Sequence, residues 1–197
     1  EGSRRACAIP SERPLNRPNL PDDAGDVRYS VDDTALGRML LAVRRDGAVL
    51  ATTFAASDDD TGRLLDRIAA AVSPRVLRGG SSTDQVRREL AEYLAGRRRS
   101  FDVETDLSLA TPFQRTVLTG LATTRYGSRT SYGELARDLG RPRAARAVGA
   151  ALGANPLCVL LPCHRVVAAD GALTGYAGGL AAKRTLLTLE AANQGYA

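Results

Sequence analysis

The chain has 197 residues, 44% of them hydrophobic, with a mean hydropathy of −0.19, enough to bury the core of one ordinary domain or two small ones. Lys plus Arg number 27 against 22 Asp plus Glu, a net charge of +5 that permits a polyanionic partner without requiring one. One histidine and three cysteines exclude an even disulfide framework and the usual tetrahedral zinc sites unless nearly all converge with a carboxylate. No long apolar run or signal-peptide segment is present, so the expected setting is the cytoplasm, with reduced thiols and no membrane partner.

Residues 1 to 25 carry Pro10, Pro14, Pro18 and Pro21 without apolar periodicity and read as a flexible tail, part of a longer chain or an added leader. Val27 to Val31 alternates, Met39 to Val43 is apolar, and Asp46-Gly47 separates that run from Ala48 to Ala51, which signals a hairpin. Asp58-Asp59-Asp60 opens a helix with Leu64, Leu65, Ile68 and Val72 at helical spacing, ending before Pro74. A second helix runs from about Thr83 through Val86, Leu90, Tyr93 and Leu94 to Gly96, and Phe101 to Thr105 alternates as a strand would. Residues 26 to 107 thus predict a small α/β domain with an antiparallel sheet and no catalytic constellation.

The second half changes character. Thr111-Pro112-Phe113-Gln114 and Ser131-Tyr132-Gly133-Glu134 both have capping-box spacing. The second opens a short helix broken at Gly140-Arg141-Pro142, and a further helix spans about Arg143 to Ala154. Two helices joined by a tight turn make a helix-turn-helix pattern, also shared by ordinary helical hairpins. The later helix is thin: Ala144, Ala145, Ala147, Gly149, Ala150, Ala151 and Gly153 surround one long side chain, Arg146. Two readings fit it: tight helix packing, or a helix lying in a narrow groove with Arg146 as a probe. From Thr111 to Arg165 there are eight arginines against Glu134 and Asp138, a local net of +6, and a polyanion would bind there.

Leu157 to Leu161 reads as a short buried strand running into Pro162-Cys163-His164-Arg165-Val166. A thiolate is the nucleophilic form of cysteine, and an adjacent imidazole favours it. Neighbours in an extended chain face opposite ways, so His164 reaches Cys163 only through a turn or a bridging water. Asn155-Pro156 precedes the strand, where the amide can brace the turn that presents Cys163. Gly175-Tyr176-Ala177-Gly178-Gly179 forms a loop able to approach a ligand, with Tyr176 as an aromatic wall. On the last helix, about Gly179 to Ala191, Glu190 shares a face with Leu186 and Leu187. It is either a solvated helix end or the carboxylate that orients His164.

These residues resemble the O6-alkylguanine-DNA alkyltransferases. The resemblance rests on Pro162-Cys163-His164-Arg165-Val166, Ala144-Ala145-Arg146-Ala147-Val148-Gly149, Asn155-Pro156 and Gly175-Tyr176-Ala177-Gly178-Gly179 in that family's order, and covers Thr111 to Glu190 most strongly. It implies an α/β N-terminal domain followed by a mainly helical, winged-helix-like domain (108 to 190) with a helix-turn-helix, and a C-terminal tail from 191. It further implies an irreversible, single-turnover transfer of an alkyl group from O6 of guanine in double-stranded DNA to Cys163. By resemblance, His164 takes the thiol proton through a water, Glu190 orients the imidazole, Asn155 braces the turn and Tyr132 protonates guanine N3. The backbone of Val166 and Ala177 with Tyr176 would contact the base. Ala144, Ala145, Arg146, Ala147 and Gly149 would enter the minor groove, Arg146 filling the gap left by the flipped nucleotide. The family reading needs no cofactor and predicts a monomer. The chain departs from members that hold zinc in the first domain, because Cys7 is the one cysteine there and no histidine accompanies it. Competing expectations are a module that recognises alkylated DNA without transfer, and a thiol hydrolase unrelated to DNA.

Overall fold

The computed structural model describes residues 27–193; the expected N-terminal tail, with Cys7, and residues 194–197 lie outside them. A hairpin of β1 (Val27–Thr34) and β2 (Gly37–Arg44) continues into β3 (Val49–Phe54). Helix α1 (Asp58–Ala71) starts at Ser57, whose side chain and that of Asp60 cap each other's backbone, and three acids in its first turn suit the helix dipole. The chain then returns as β4 (Val76–Arg78), which pairs parallel with β1. The sheet order is β3-β2-β1-β4, so the sheet is mixed rather than antiparallel as expected. The three-residue β4 is too short to show alternation, and its parallel direction follows from the crossover through α1.

β2 is buried on both faces, which explains its unbroken Met39 to Val43 run. Leu40 and Ala42 pack with Val27, Leu50 and Ile68 beneath α1. Met39, Leu41 and Val43 face the other way, toward α2 (Asp84–Leu94) and the second half of the chain. One core therefore runs from Val86, Leu90 and Tyr93 of α2 to Val117, Leu118, Val148, Leu157 and Leu186. Phe101 to Thr105, expected as a strand, forms one bridge between Thr105 and Val49 and is otherwise irregular. Asp102 N is taken by the side chain of the buried Glu89, while Glu104 O accepts from Val49 N.

Helix α3 (Pro112–Leu121) begins at the predicted capping box of Thr111 and Gln114, and α4 (Tyr132–Asp138) at that of Ser131 and Glu134. α5 (Ala145–Gly153) packs on both. β5 (Thr130–Ser131) pairs parallel with β6 (Val166–Val167), and α6 (Gly179–Ala192) closes the fold, extending two residues into the segment expected as a tail. Among the described residues no helix is long and apolar enough to cross a membrane.

Candidate active site

The segment Leu157 to Leu161 is buried as expected but is a turn rather than a strand. Leu161 N returns to Leu157 O at 2.8 Å, and Asn155 fastens the loop from inside: Leu157 N donates to its Oδ1 at 3.0 Å, while Nδ2 donates to Leu161 O at 3.0 Å. The same amide lies 3.2 Å from Cys163 Sγ. Val159 takes φ +74°, a left-handed conformation that costs a β-branched residue on the order of 1–3 kcal/mol and persists only where the surroundings impose it. Strand β3 supplies part of that constraint, with Thr52 N donating to Pro156 O at 2.9 Å and Thr52 Oγ1 to Cys158 O at 2.8 Å.

After Pro162 the chain makes a 3-10 turn over Cys163–Arg165. The turn sends three consecutive side chains inward, and His164 is fully buried. His164 Nε2 meets Glu190 Oε1 at 2.6 Å. Arg165 grips the same carboxylate, Nε at 3.1 and 3.0 Å from its two oxygens and Nη2 at 3.1 Å from Oε1. Gly127 N donates to Oε2 at 2.9 Å, and the Tyr93 hydroxyl donates to Oε1. Burial alone would push the Glu190 carboxyl up; the hydrogen bond and charge of His164, then Arg165 and Tyr93, outweigh it and hold the pKa at about 2.

An ionised carboxylate only accepts, so the imidazole carries its proton on Nε2. Nδ1 is buried and has no hydrogen-bond partner among the described residues, which leaves it as the acceptor of the ring. Burial pushes the His164 pKa below its ordinary value, against the pull of Glu190. The Cys163 thiol is lowered by hydrogen bonding from Cys158, with the Asn155 amide and the Lys183 charge adding to it against the cost of burial. Cys158 is raised by the same contact and by complete burial. The pair thus divides into one thiol poised to ionise and one held as S–H.

Cys163 opens onto a cavity of about 250 Å³ lined by Tyr132, Gly149, Leu152, Gly153, Gly175, Tyr176 and Ala177. The glycines of the thin helix form one wall of it. A Cβ at Gly149 would touch the Tyr132 ring at 3.5 Å, whereas one at Gly153 would meet open space. Tyr132 Oη accepts from Thr174 Oγ1 at 3.2 Å. Tyr176 stands edge-on to His164 at 6.4 Å and to Phe54 at 5.6 Å between ring centroids. Phe54 lies so close to the loop that a Cβ at Gly178 would fall 2.3 Å from its ring, so any larger residue there would have to displace the ring.

The structure therefore brings together Cys163, His164, Glu190, Asn155, Tyr132, Tyr176, Ala177 and Gly149. Val166 does not line the cavity; its carbonyl accepts from Lys183 Nζ at 2.6 Å. Ala144 precedes α5, Ala145 packs partly into the core, and Arg146 and Ala147 are exposed on the outer side of that helix. Among the described residues no group of three or more His, Cys, Asp or Glu side chains could hold a metal ion.

Three residues of the site were not singled out from sequence. Arg165 was counted with the polyanion-binding arginines but is buried on Glu190. Tyr93 was assigned to an apolar face, which its ring occupies while its hydroxyl reaches the carboxylate. Lys183 is fully buried and donates to Val166 O and Thr174 O, both at 2.6 Å. A signal for it existed: the single lysine of an arginine-rich chain lies three, four and seven residues before Leu186, Leu187 and Glu190, on the same helix face.

Residues 112–192 match the family model of the 6-O-methylguanine DNA methyltransferase DNA-binding domain. The chain is 53% identical over 102 residues to a methylated-DNA–protein-cysteine methyltransferase of Mycolicibacterium paratuberculosis, a match covering 52% of this chain and 61% of that protein's length. The crystal structure of Mycobacterium tuberculosis O6-methylguanine methyltransferase is similar over 87% of this chain and 96% of its own, with a TM-score of 0.72 and 35% identity. The structure of Mycobacterium tuberculosis OGT in complex with DNA gives 0.72 and 36%, covering 84% of this chain and 94% of that one.

Proposed function

The chain belongs to the 6-O-methylguanine DNA methyltransferase family, and from that premise we propose that it repairs alkylated duplex DNA by moving the alkyl group of O6-alkylguanine onto Cys163. The observation that carries this reading is the buried group behind the cavity: Cys163 on the Asn155 amide, and His164 fixed on Glu190 with Nδ1 unpartnered among the described residues.

In this reading His164 Nδ1 takes the Cys163 proton through a water, and the thiolate attacks the alkyl carbon. A sulfur–carbon bond forms as the carbon–O6 bond breaks, its electron pair passing to the guanine. Tyr132 donates its hydroxyl proton to guanine N3, making the base a neutral leaving group. Tyr176 and the Ala177 backbone hold the base in the cavity. A thioether is not hydrolysed under cellular conditions, so each chain acts once, without a cofactor. One chain holds every group named, which suits a monomer working in the reducing cytoplasm.

Reaching a guanine inside a duplex requires extruding it. Helices α4 and α5 would act as a helix-turn-helix, with Ala144 to Gly149 in the minor groove and Arg146 in the place of the flipped nucleotide. Exposed arginines at 125, 129, 137, 141 and 143 flank that helix pair and suit phosphate contacts. The test is lesion loss from a duplex carrying one O6-methylguanine, followed against protein concentration. We expect a plateau at one lesion per chain; continued turnover, or no loss with excess protein, would overturn the proposal.

A further inference from the structure

Glu190 holds more donors than the orientation of one imidazole requires. His164, Arg165 and Gly127 belong to the second half of the chain, whereas the Tyr93 hydroxyl arrives from α2 in the first half. Tyr93 is 1% exposed, its ring stacked on Phe101 at 5.1 Å and edge-on to Tyr126 at 5.8 Å. Burial pushes its phenol well above the usual range, so it remains an O–H donor throughout the working pH range. Its acceptor, Oε1, is the oxygen that receives the His164 proton donor.

We propose that Tyr93 is a positioning residue for the transfer reaction, its hydroxyl sharing Glu190 Oε1 with His164 and so setting how strongly the carboxylate holds the imidazole. The inference rests on the reading of His164 as the base. A carboxylate whose charge falls on one imidazole raises that imidazole's proton affinity, and additional donors on the same oxygen disperse the charge. The other groups facing the pair are fixed cations and neutral acids. Arg165 and Lys183 both disfavour the imidazolium, Tyr176 is held neutral by burial, and Tyr126 lies between the guanidinium groups of Arg99 and Arg165 at 5.8 and 5.6 Å. Cys163 is the remaining group that changes charge on the cysteine side.

Because His164 is the single histidine of the chain, ¹⁵N-histidine labelling reports its tautomer and titration without ambiguity. The experiment compares wild type, Tyr93→Phe and Phe101→Leu, reading the His164 midpoint and the acid limb of the rate of transfer from free O6-benzylguanine against pH. Tyr93→Phe is expected to move both upward by about half a pH unit or more while keeping the Nε2–H tautomer. Phe101→Leu, which disturbs the same aromatic stack, should lower Tm without moving either. Site-specific 3-fluorotyrosine at position 93, a stronger donor, should move the midpoint down, and it serves if Tyr93→Phe does not fold. Unchanged midpoints in the Tyr93 variants, or an equal shift in Phe101→Leu, would overturn the inference. Absence of transfer by wild type would instead defeat the proposed function, with the midpoints still deciding the role of Tyr93.

Discussion

At Cys163 the balance between thiol and thiolate is set by a thiol, an amide and an ammonium group. Lys183 supplies the one full positive charge in that set, and its own pKa is lowered by burial. Lys183→Met should therefore move the pH dependence of Cys163 alkylation by iodoacetamide to higher pH and slow transfer; an unshifted profile would remove the lysine from the account. Glu190 yields a prediction about stability. Its folded pKa of about 2 lies below the ordinary carboxylate value of 4.5, so its contribution is complete above about pH 4.5 and is lost as pH falls toward 2, in total about 3 kcal/mol. Glu190→Gln should flatten the acid arm of a Tm-against-pH curve between those limits. Cys163 and Asn155 were legible in sequence because their contact is local, eight positions apart, whereas the partner of His164, Glu190, stands 26 positions away and spacing left it with two readings. Arg165 and Tyr93 reach Glu190 across distances in sequence that spacing does not encode, and each also satisfied a plainer reading as surface charge or core; Lys183 had its signal in helix spacing but also fitted composition.

At the scale of elements, α5 carries two tasks on its two sides. The glycines that make it thin open the cavity beside Cys163, while Arg146 stands on the exposed outer side. Sequence left packing and groove binding as alternatives for this helix. The structure adds the Tyr132 ring against Gly149 and open space at Gly153. Gly153→Val should fold, because nothing lies within 4 Å of the added Cβ, yet slow transfer from O6-benzylguanine more than from O6-methylguanine by narrowing the cavity; equal rates would place the alkyl group elsewhere. Arg146→Ala should reduce repair in duplex at least tenfold more than transfer from free O6-benzylguanine, and equal loss on both would contradict a role in flipping. The helix starts at Thr111 and Ser131 were legible because capping-box spacing announces them, and that of α1 because three acids stand at its first turn. The Leu157 to Leu161 turn was misread as a strand because its apolar run fits any buried segment, and the Asn155 side chain that folds it back lies outside the run.

For the whole molecule, the first half looked inert in sequence and the fold gives it three contacts to the site. Thr52 holds the turn before Cys163, Phe54 presses on the Tyr176 loop, and Tyr93 reaches Glu190. Each comes from an element whose local pattern is satisfied by core packing, so no spacing in the first half marks it as part of a site. The charge is sharpened in the same way. Of the eight arginines between Thr111 and Arg165, Arg165 is buried against the Glu190 carboxylate, so the surface field is smaller than the local +6 from sequence. Duplex affinity should still fall steeply with salt, and Arg143→Ala should reduce the log–log slope by about 1. The central claim is that Cys163 keeps the alkyl group. Intact-protein mass spectrometry after incubation with a duplex containing O6-methylguanine tests it most directly. The predicted result is one added methyl group, mapped to Cys163, retained in Cys158→Ala and absent in Cys163→Ala; an unchanged wild-type mass, or a methyl that survives Cys163→Ala, would contradict it.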